Sequence, residues 1–107
     1  METSIKKKLN QMNNITVTNN TRQQQFEVNL NGQLAFLVYR FYKDDIAFMH
    51  TEVPPALENN GIASALAKFG LEWANENNKK VMVYCPFVAS YLKKHPEYIS
   101  LVDKNFG

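Results

Sequence analysis

The chain has 107 residues, 45% of them apolar, and a net charge of +2. That is one domain with material for a core, and too little positive charge for a dedicated nucleic-acid binder. A single cysteine excludes an internal disulfide, one cysteine with two histidines is too few for a Cys/His metal site, and no apolar run is long enough to cross a membrane. No charged-then-apolar leader is evident, so the reducing cytoplasm is the expected compartment. The expected assembly is a monomer or weak homodimer.

Residues 1–13 read as a polar tail in which Lys6, Lys7 and Lys8 are solvated, and residues 14–107 as the domain. Ile15 to Thr18 suits a short first strand. Gln25 to Leu30 alternates, Asn31-Gly32 is a two-residue hairpin signal, and Gln33 to Tyr42 returns as a central strand. Lys43 to Asp45 is a turn. Ile46 to Glu52 is the next strand, with Ile46, Phe48, His50 and Glu52 alternating against Ala47, Met49 and Thr51. Pro54 and Pro55 stop it, because neither donates a ladder hydrogen bond.

From about Gly61 to Asn78 the period is helical. Ile62, Leu66, Phe69 and Trp73 form a large apolar stripe, and Ala63, Ala67, Gly70 and Ala74 a small one that lets the helix lie close against a sheet. Val81 to Cys85 is a short buried strand. Pro86 opens a second helix through Lys94, stopped by Pro96, and Tyr98 to Val102 is a last strand or an irregular tail. The fold class is therefore mixed α/β, or α+β: an antiparallel meander followed by a βαβ unit whose strands are parallel.

Ligands of such a sheet bind beyond the carboxyl ends of the parallel strands. Those ends are Glu52-Val53 and Cys85, and both helix N-termini point there. The free N–H groups at Gly61 suit a phosphate. Glu52 is either a general base or a solvated strand-end carboxylate. His50 shares its face, either in proton transfer or as a hydrogen-bonded structural residue. Cys85 is either an activated thiol at a helix start or a buried inert one. Tyr84 and Tyr91 are proton donors or packing residues. Lys93, Lys94 and His95 either pair with a ligand phosphate or are a solvated helix end.

Glu58-Asn59-Asn60-Gly61-Ile62-Ala63, between a strand and a helix, resembles the acetyl-CoA pyrophosphate loop of GCN5-related N-acetyltransferases. Three further segments in order, His50 to Pro54, Tyr84 to Val88 and Lys94 to Tyr98, are similar to a small minimal branch of that family. The resemblance covers about residues 14–103 and implies the minimal acyl-CoA N-acyltransferase fold. It implies acetyl-CoA in a cleft between the strands ending at Glu52 and Cys85. The pyrophosphate would take N–H groups from Asn59, Asn60, Gly61, Ile62, Ala63 and Ser64, and pantetheine would pair with backbone at Val53. Phe87 and Lys94 complete the implied cofactor contacts, and no metal is implied. The chain departs from the pattern at Glu58, where Arg or Gln is usual. Cys85 stands at the place of an Asn, Tyr91 falls one residue short of the usual acid, and the early helices of larger members are missing.

The resulting expectation is acetyl transfer from acetyl-CoA to a small-molecule or protein amine, with Glu52, His50 and Cys85 as the catalytic candidates. Cys85 would carry the acetyl group in a covalent variant. The alternative is a non-catalytic acyl-CoA-binding or regulatory module. Neither reading involves nucleic acid or a membrane.

Overall fold

The computed structural model describes residues 15–104. The tail expected over 1–13 lies outside the described residues.

The strands are β1 (Thr18–Asn20), β2 (Gln25–Leu30), β3 (Gln33–Tyr42), β4 (Asp45–Glu52) and β5 (Lys80–Val83). They form one sheet in sequence order. The first four are antiparallel, and β5 joins β4 in parallel. The helix α1 (Ile62–Glu76) makes that crossover, and α2 (Pro86–Lys94) follows β5. Single 3₁₀ segments occupy Pro55–Leu57 and Pro96–Leu101. The expected meander plus βαβ unit is the observed fold.

Local chemistry explains the turns. Asn31 and Gly32 have φ of 55° and 77°, the left-handed pair that joins strands in a tight hairpin. The first strand starts later than expected: Ile15 and Val17 pack against the core instead of entering the ladder. The C-terminal segment is a 3₁₀ helix rather than a strand. A single parallel bridge, Val102 to Val81, and the Lys80 ammonium donating to the Ser100 carbonyl at 3.1 Å tie it to the sheet.

One face of the sheet carries the core. Phe26, Leu37, Tyr39, Ile46, Phe48 and Val81 meet Ile62, Leu66, Leu71 and Ala74 of α1 and Val88 and Leu92 of α2. Rings lock the helix to the strands: Phe26 lies 4.7 Å from Tyr39 and 5.3 Å from Phe69 between centroids. The small stripe permits this approach. A Cβ on Gly70 would stand 3.1 Å from the Phe48 ring.

A β-bulge interrupts β4. Val38 pairs with His50 but Tyr39 pairs with Phe48, so Met49 is the extra residue. An extra residue reverses the side-chain alternation. Thr51 therefore takes the core side, opposite Leu37, while His50 and Glu52 lie opposite Val38 and Phe36 on the other face. The expectation that His50 and Glu52 share a face with Ile46 and Phe48 is corrected here; they lie on the face of Ala47, which pairs with Arg40.

At the other end of β4, the buried Asp45 side chain hydrogen-bonds the Asp103 carboxyl. The Asp103 N–H in turn donates to the Val81 carbonyl at 3.0 Å. The Asp103 hydrogen bond, then burial, then the neighbouring carboxylates Asp103 and Asp44 hold the Asp45 carboxyl above its ordinary range, against Lys79.

Candidate functional site

Pairing of β4 with β5 ends at Phe48–Val83. The Phe48 carbonyl then accepts two N–H groups, from Tyr84 at 2.9 Å and Cys85 at 3.0 Å. Beyond that point β5 has ended and Cys85 is already the N-cap of α2. After the bulge at Met49, His50–Glu52 continue, paired to β3 with no β5 residue opposite. The two strands thus part in a V.

The mouth of the V leads to a cleft of about 320 Å³ lined by Val53, Leu57, Glu58, Asn59, Gly61, Ile62, Ala63, Ser64 and Phe87. Seven of the nine residues expected to hold the cofactor are in that lining; Asn60 and Lys94 are not. Asn60 sits between two lining residues. Lys94 stands in the last turn of α2, roughly 10 Å along the helix from Phe87. Leu57 is a lining residue that sequence reasoning missed. The signal was Pro54-Pro55, which opens the short 3₁₀ turn ending at Leu57.

The floor of the cleft is the α1 N-terminus. Gly61 is its N-cap with φ 75° and no side-chain cap, and the first helical N–H bond runs from Ala65 to the Gly61 carbonyl at 3.0 Å. The N–H groups of Ile62, Ala63 and Ser64 therefore have no partner within the helix. No acidic residue occupies the first turn. A Cβ on Gly61 would meet nothing within 4 Å, so the space above the backbone is clear. Uncapped donors, the positive helix end and clear space fit a pyrophosphate.

The catalytic candidates separate. His50 and Glu52 are together: Nε2 and Oε2 are 3.8 Å apart, with side chains 53% and 63% exposed. The Phe36 ring stands edge-on to His50 at 6.1 Å. Cys85 is elsewhere. It is 2% exposed, and its Sγ lies 3.2 Å from the Thr51 hydroxyl. Of the two readings of Cys85, an activated thiol facing the cleft or a buried inert one, the structure has the buried one. Both N–H groups donated to Phe48 draw the chain inward before α2, and the sulfur enters the core beneath the splay.

The tyrosines also leave the cleft. Tyr84 lines a separate depression with Arg40, Phe41, Tyr42, Ala47 and Met82. Tyr91 is buried and stacks on His95 at 4.1 Å. Burial first, then the Glu97 and Glu72 charges, push its phenol above the ordinary value. Tyr98 donates to Glu72 at 2.8 Å; burial, then that hydrogen bond, push its phenol up to about 12. Among the described residues, no three His, Cys, Asp or Glu side chains gather to hold a metal, and no helix is long and apolar enough to cross a membrane.

Residues 25–101 match the family model described as GCN5-related N-acetyl-transferase. The chain is 38% identical over 85 residues to the human protein NATD1, covering 77% of this chain and 75% of that one. It is 32% identical over 99 residues to NATD1 of Xenopus tropicalis, covering 90% and 91%. A GCN5-like protein from Staphylococcus aureus, solved by NMR, superimposes with a TM-score of 0.66 at 29% identity, covering 84% of this chain and 89% of its own.

Proposed function

The chain belongs to the GCN5-related N-acetyltransferase family, and on that premise we propose that it transfers an acetyl group from acetyl-CoA to an amine at the open end of β4. The observation that carries the reading is the cleft at Gly61, where uncapped helix donors meet the parted strands. Acetyl-CoA supplies the acyl group as a thioester. The N–H groups of Ile62, Ala63 and Ser64 hold its pyrophosphate, assisted by the loop at Asn59 and Asn60. Val53 and Phe87 flank the pantetheine path. The β4 edge from Met49 onward is not taken up by β5, so backbone donors there serve the thioester carbonyl.

Glu52, or a water it holds, takes the proton of the attacking amine, and His50 sits within 3.8 Å to share that charge. Direct transfer uses groups that are already exposed. A covalent route through Cys85 would first have to uncover a sulfur that is 2% exposed and bonded to Thr51, so direct transfer is the route we assign. One observation favours the non-catalytic acyl-CoA-binding alternative: His50 and Glu52 lie on a sheet face that carries none of the core, so the acceptor side is shallow.

Thermal unfolding with CoA and acetyl-CoA tests the reading. Ligand that binds only the folded protein stabilises it by about 2.7 kcal/mol at a hundredfold excess over Kd, a rise of roughly ten degrees or more. Gly61→Val abolishes that rise, because a β-branched residue resists φ 75° and fills the cradle. A folded Gly61→Val protein with unchanged CoA affinity removes this cleft from the reading. CoA release with a panel of amines then separates turnover from binding alone.

A further inference from the structure

Strand pairing places Thr18, Glu27, Phe36 and Glu52 in one row across β1 to β4. The row lies on the face away from the core: Phe36 and Val38 are neither core residues nor packed against it. The half-buried Phe36 ring therefore stands between two carboxylates on an uncovered face. Asn20 and Gln25 donate to Glu27 Oε2 at 2.8 and 2.7 Å, which fixes that carboxylate in place. Glu52 is directly followed by Val53 of the cleft. An aromatic ring flanked by carboxylates complements a cationic amine. Arg40 shares this face but stands two rows away, its guanidinium bonded to the Tyr39 carbonyl at 2.6 Å.

The sequence carries such cations ahead of the first strand. Its net charge of +2 comes entirely from residues 1–14, where Lys6, Lys7 and Lys8 outweigh Glu2; the remainder is balanced. As the numbering falls along β1, the chain passes from the row of Asn20, Gln25, Val38 and His50 to the row of Thr18, Glu27, Phe36 and Glu52. The chain before β1 therefore enters from the Glu52 end. Glu52 is three strand spacings away, about 14 Å. The seven residues from Lys8 to Ile15 reach about 24 Å when extended.

Resting on the acetyl-transfer reading, we propose that the uncovered face at Glu27, Phe36 and Glu52 is the acceptor surface, and that its occupant is the chain's own Lys6–Lys8 segment, which the protein acetylates. A lysine ammonium gives one proton to Glu52, directly or through water, and so to solvent. Its neutral Nζ attacks the thioester carbonyl. The C–N bond forms, the C–S bond breaks, and the departing CoA thiolate takes the second amine proton. The products are acetyl-lysine and CoA thiol.

Two measurements on the full chain test this. Carbodiimide cross-linking without any cofactor, mapped by peptide mass, joins Lys6–Lys8 to Glu27 or Glu52 at low salt. The cross-link fades near about 0.5 M salt, where such attraction is screened. Absence of that cross-link overturns the docking. Incubation with acetyl-CoA then acetylates Lys6–Lys8 about tenfold or more faster than the exposed Lys43 and Lys104, the fraction labelled per unit time being independent of protein concentration. Even labelling of all lysines overturns self-acetylation, and so does a fraction labelled per unit time that rises in proportion to protein concentration, which makes the occupant a second copy. Selective turnover on an added cationic peptide with Lys6–Lys8 untouched also overturns it, in favour of a partner in trans. Gly61→Val keeps the cross-link and loses the acetylation. If the cross-link forms but CoA never binds, the function reading fails while the docking stands.

Discussion

Asp45–Phe48 and Met49–Glu52 are consecutive halves of one strand, both paired to β3. The first half is buried at every position and paired to β5 as well. The second is exposed at Met49, His50 and Glu52 and has no β5 neighbour. A single extra residue separates them. The bulge reverses the faces, so the strand that anchors α1 through Phe48 presents His50 and Glu52 to the opposite side. Stability and access are thereby assigned to different halves of the same element.

The sharpest way to break that contrast is to truncate one side chain in each half. Phe48 is fully buried, against Gly70 of α1. Phe48→Ala costs about 3–5 kcal/mol. That is a large share of the roughly 5–15 kcal/mol expected of a folded domain. His50→Ala changes stability by less than about 0.5 kcal/mol, as exposed substitutions do. Urea unfolding midpoints measure both. Comparable losses would show that the second half is also structural.

The same strand shows what a sequence carries and what it hides. Strand periodicity gave the extent of β4 to within one residue, and Pro54-Pro55 its end. The bulge left no trace in that periodicity: Ile46, Phe48, His50 and Glu52 alternate on paper, and only the pairing with β3 reveals the reversal. Gly61 was legible because a glycine between a strand and a helical period has a local reason to be there. Cys85 was not. Its depth depends on two N–H groups turning to the Phe48 carbonyl, a contact between residues far apart in the chain. The first strand was displaced for a related reason, since Ile15 and Val17 gain more from the core than from the ladder. The uncovered face of Phe36 and Glu52 could be assigned only by knowing which side of the sheet the helices take.

The carboxylates of the two halves sharpen the contrast next. Asp45 is held above its ordinary range chiefly by the Asp103 carboxyl. A raised acid binds its proton more tightly in the folded state. Its stabilising contribution is complete below the ordinary value of 3.8 and is lost as pH rises through the raised one. Asp103→Asn keeps a hydrogen-bonding side chain and removes the repulsion. It therefore raises stability at pH 7 by up to about 1 kcal/mol and flattens the pH dependence above pH 4 or so. Glu52→Gln, in the exposed half, changes the unfolding free energy by less than about 0.5 kcal/mol. Thermal midpoints across pH 3–8 read both, and an unaltered profile in Asp103→Asn would show that the pair is not coupled in solution.

The smallest expected effect lies where the open half meets the cleft. Glu58 lines the cleft beside the uncapped helix donors, in the loop position where the family pattern has Arg or Gln. A carboxylate several ångströms from a pyrophosphate in water repels it by about 0.5–1 kcal/mol, less at physiological salt. Glu58→Gln should therefore tighten CoA binding about two- to threefold at 0.15 M salt, and more at low salt. The unfolding midpoint should not move, because the Glu58 contact that holds the loop is its backbone N–H on the Pro55 carbonyl. Isothermal titration at two salt concentrations gives the answer. A general disturbance of the loop would weaken binding, as Gly61→Val does. A gain from Glu58→Gln and a loss from Gly61→Val, three residues apart and both folded, would locate the phosphate by charge as well as by shape. An affinity unchanged at both salts would mean that the carboxylate turns away from the bound ligand.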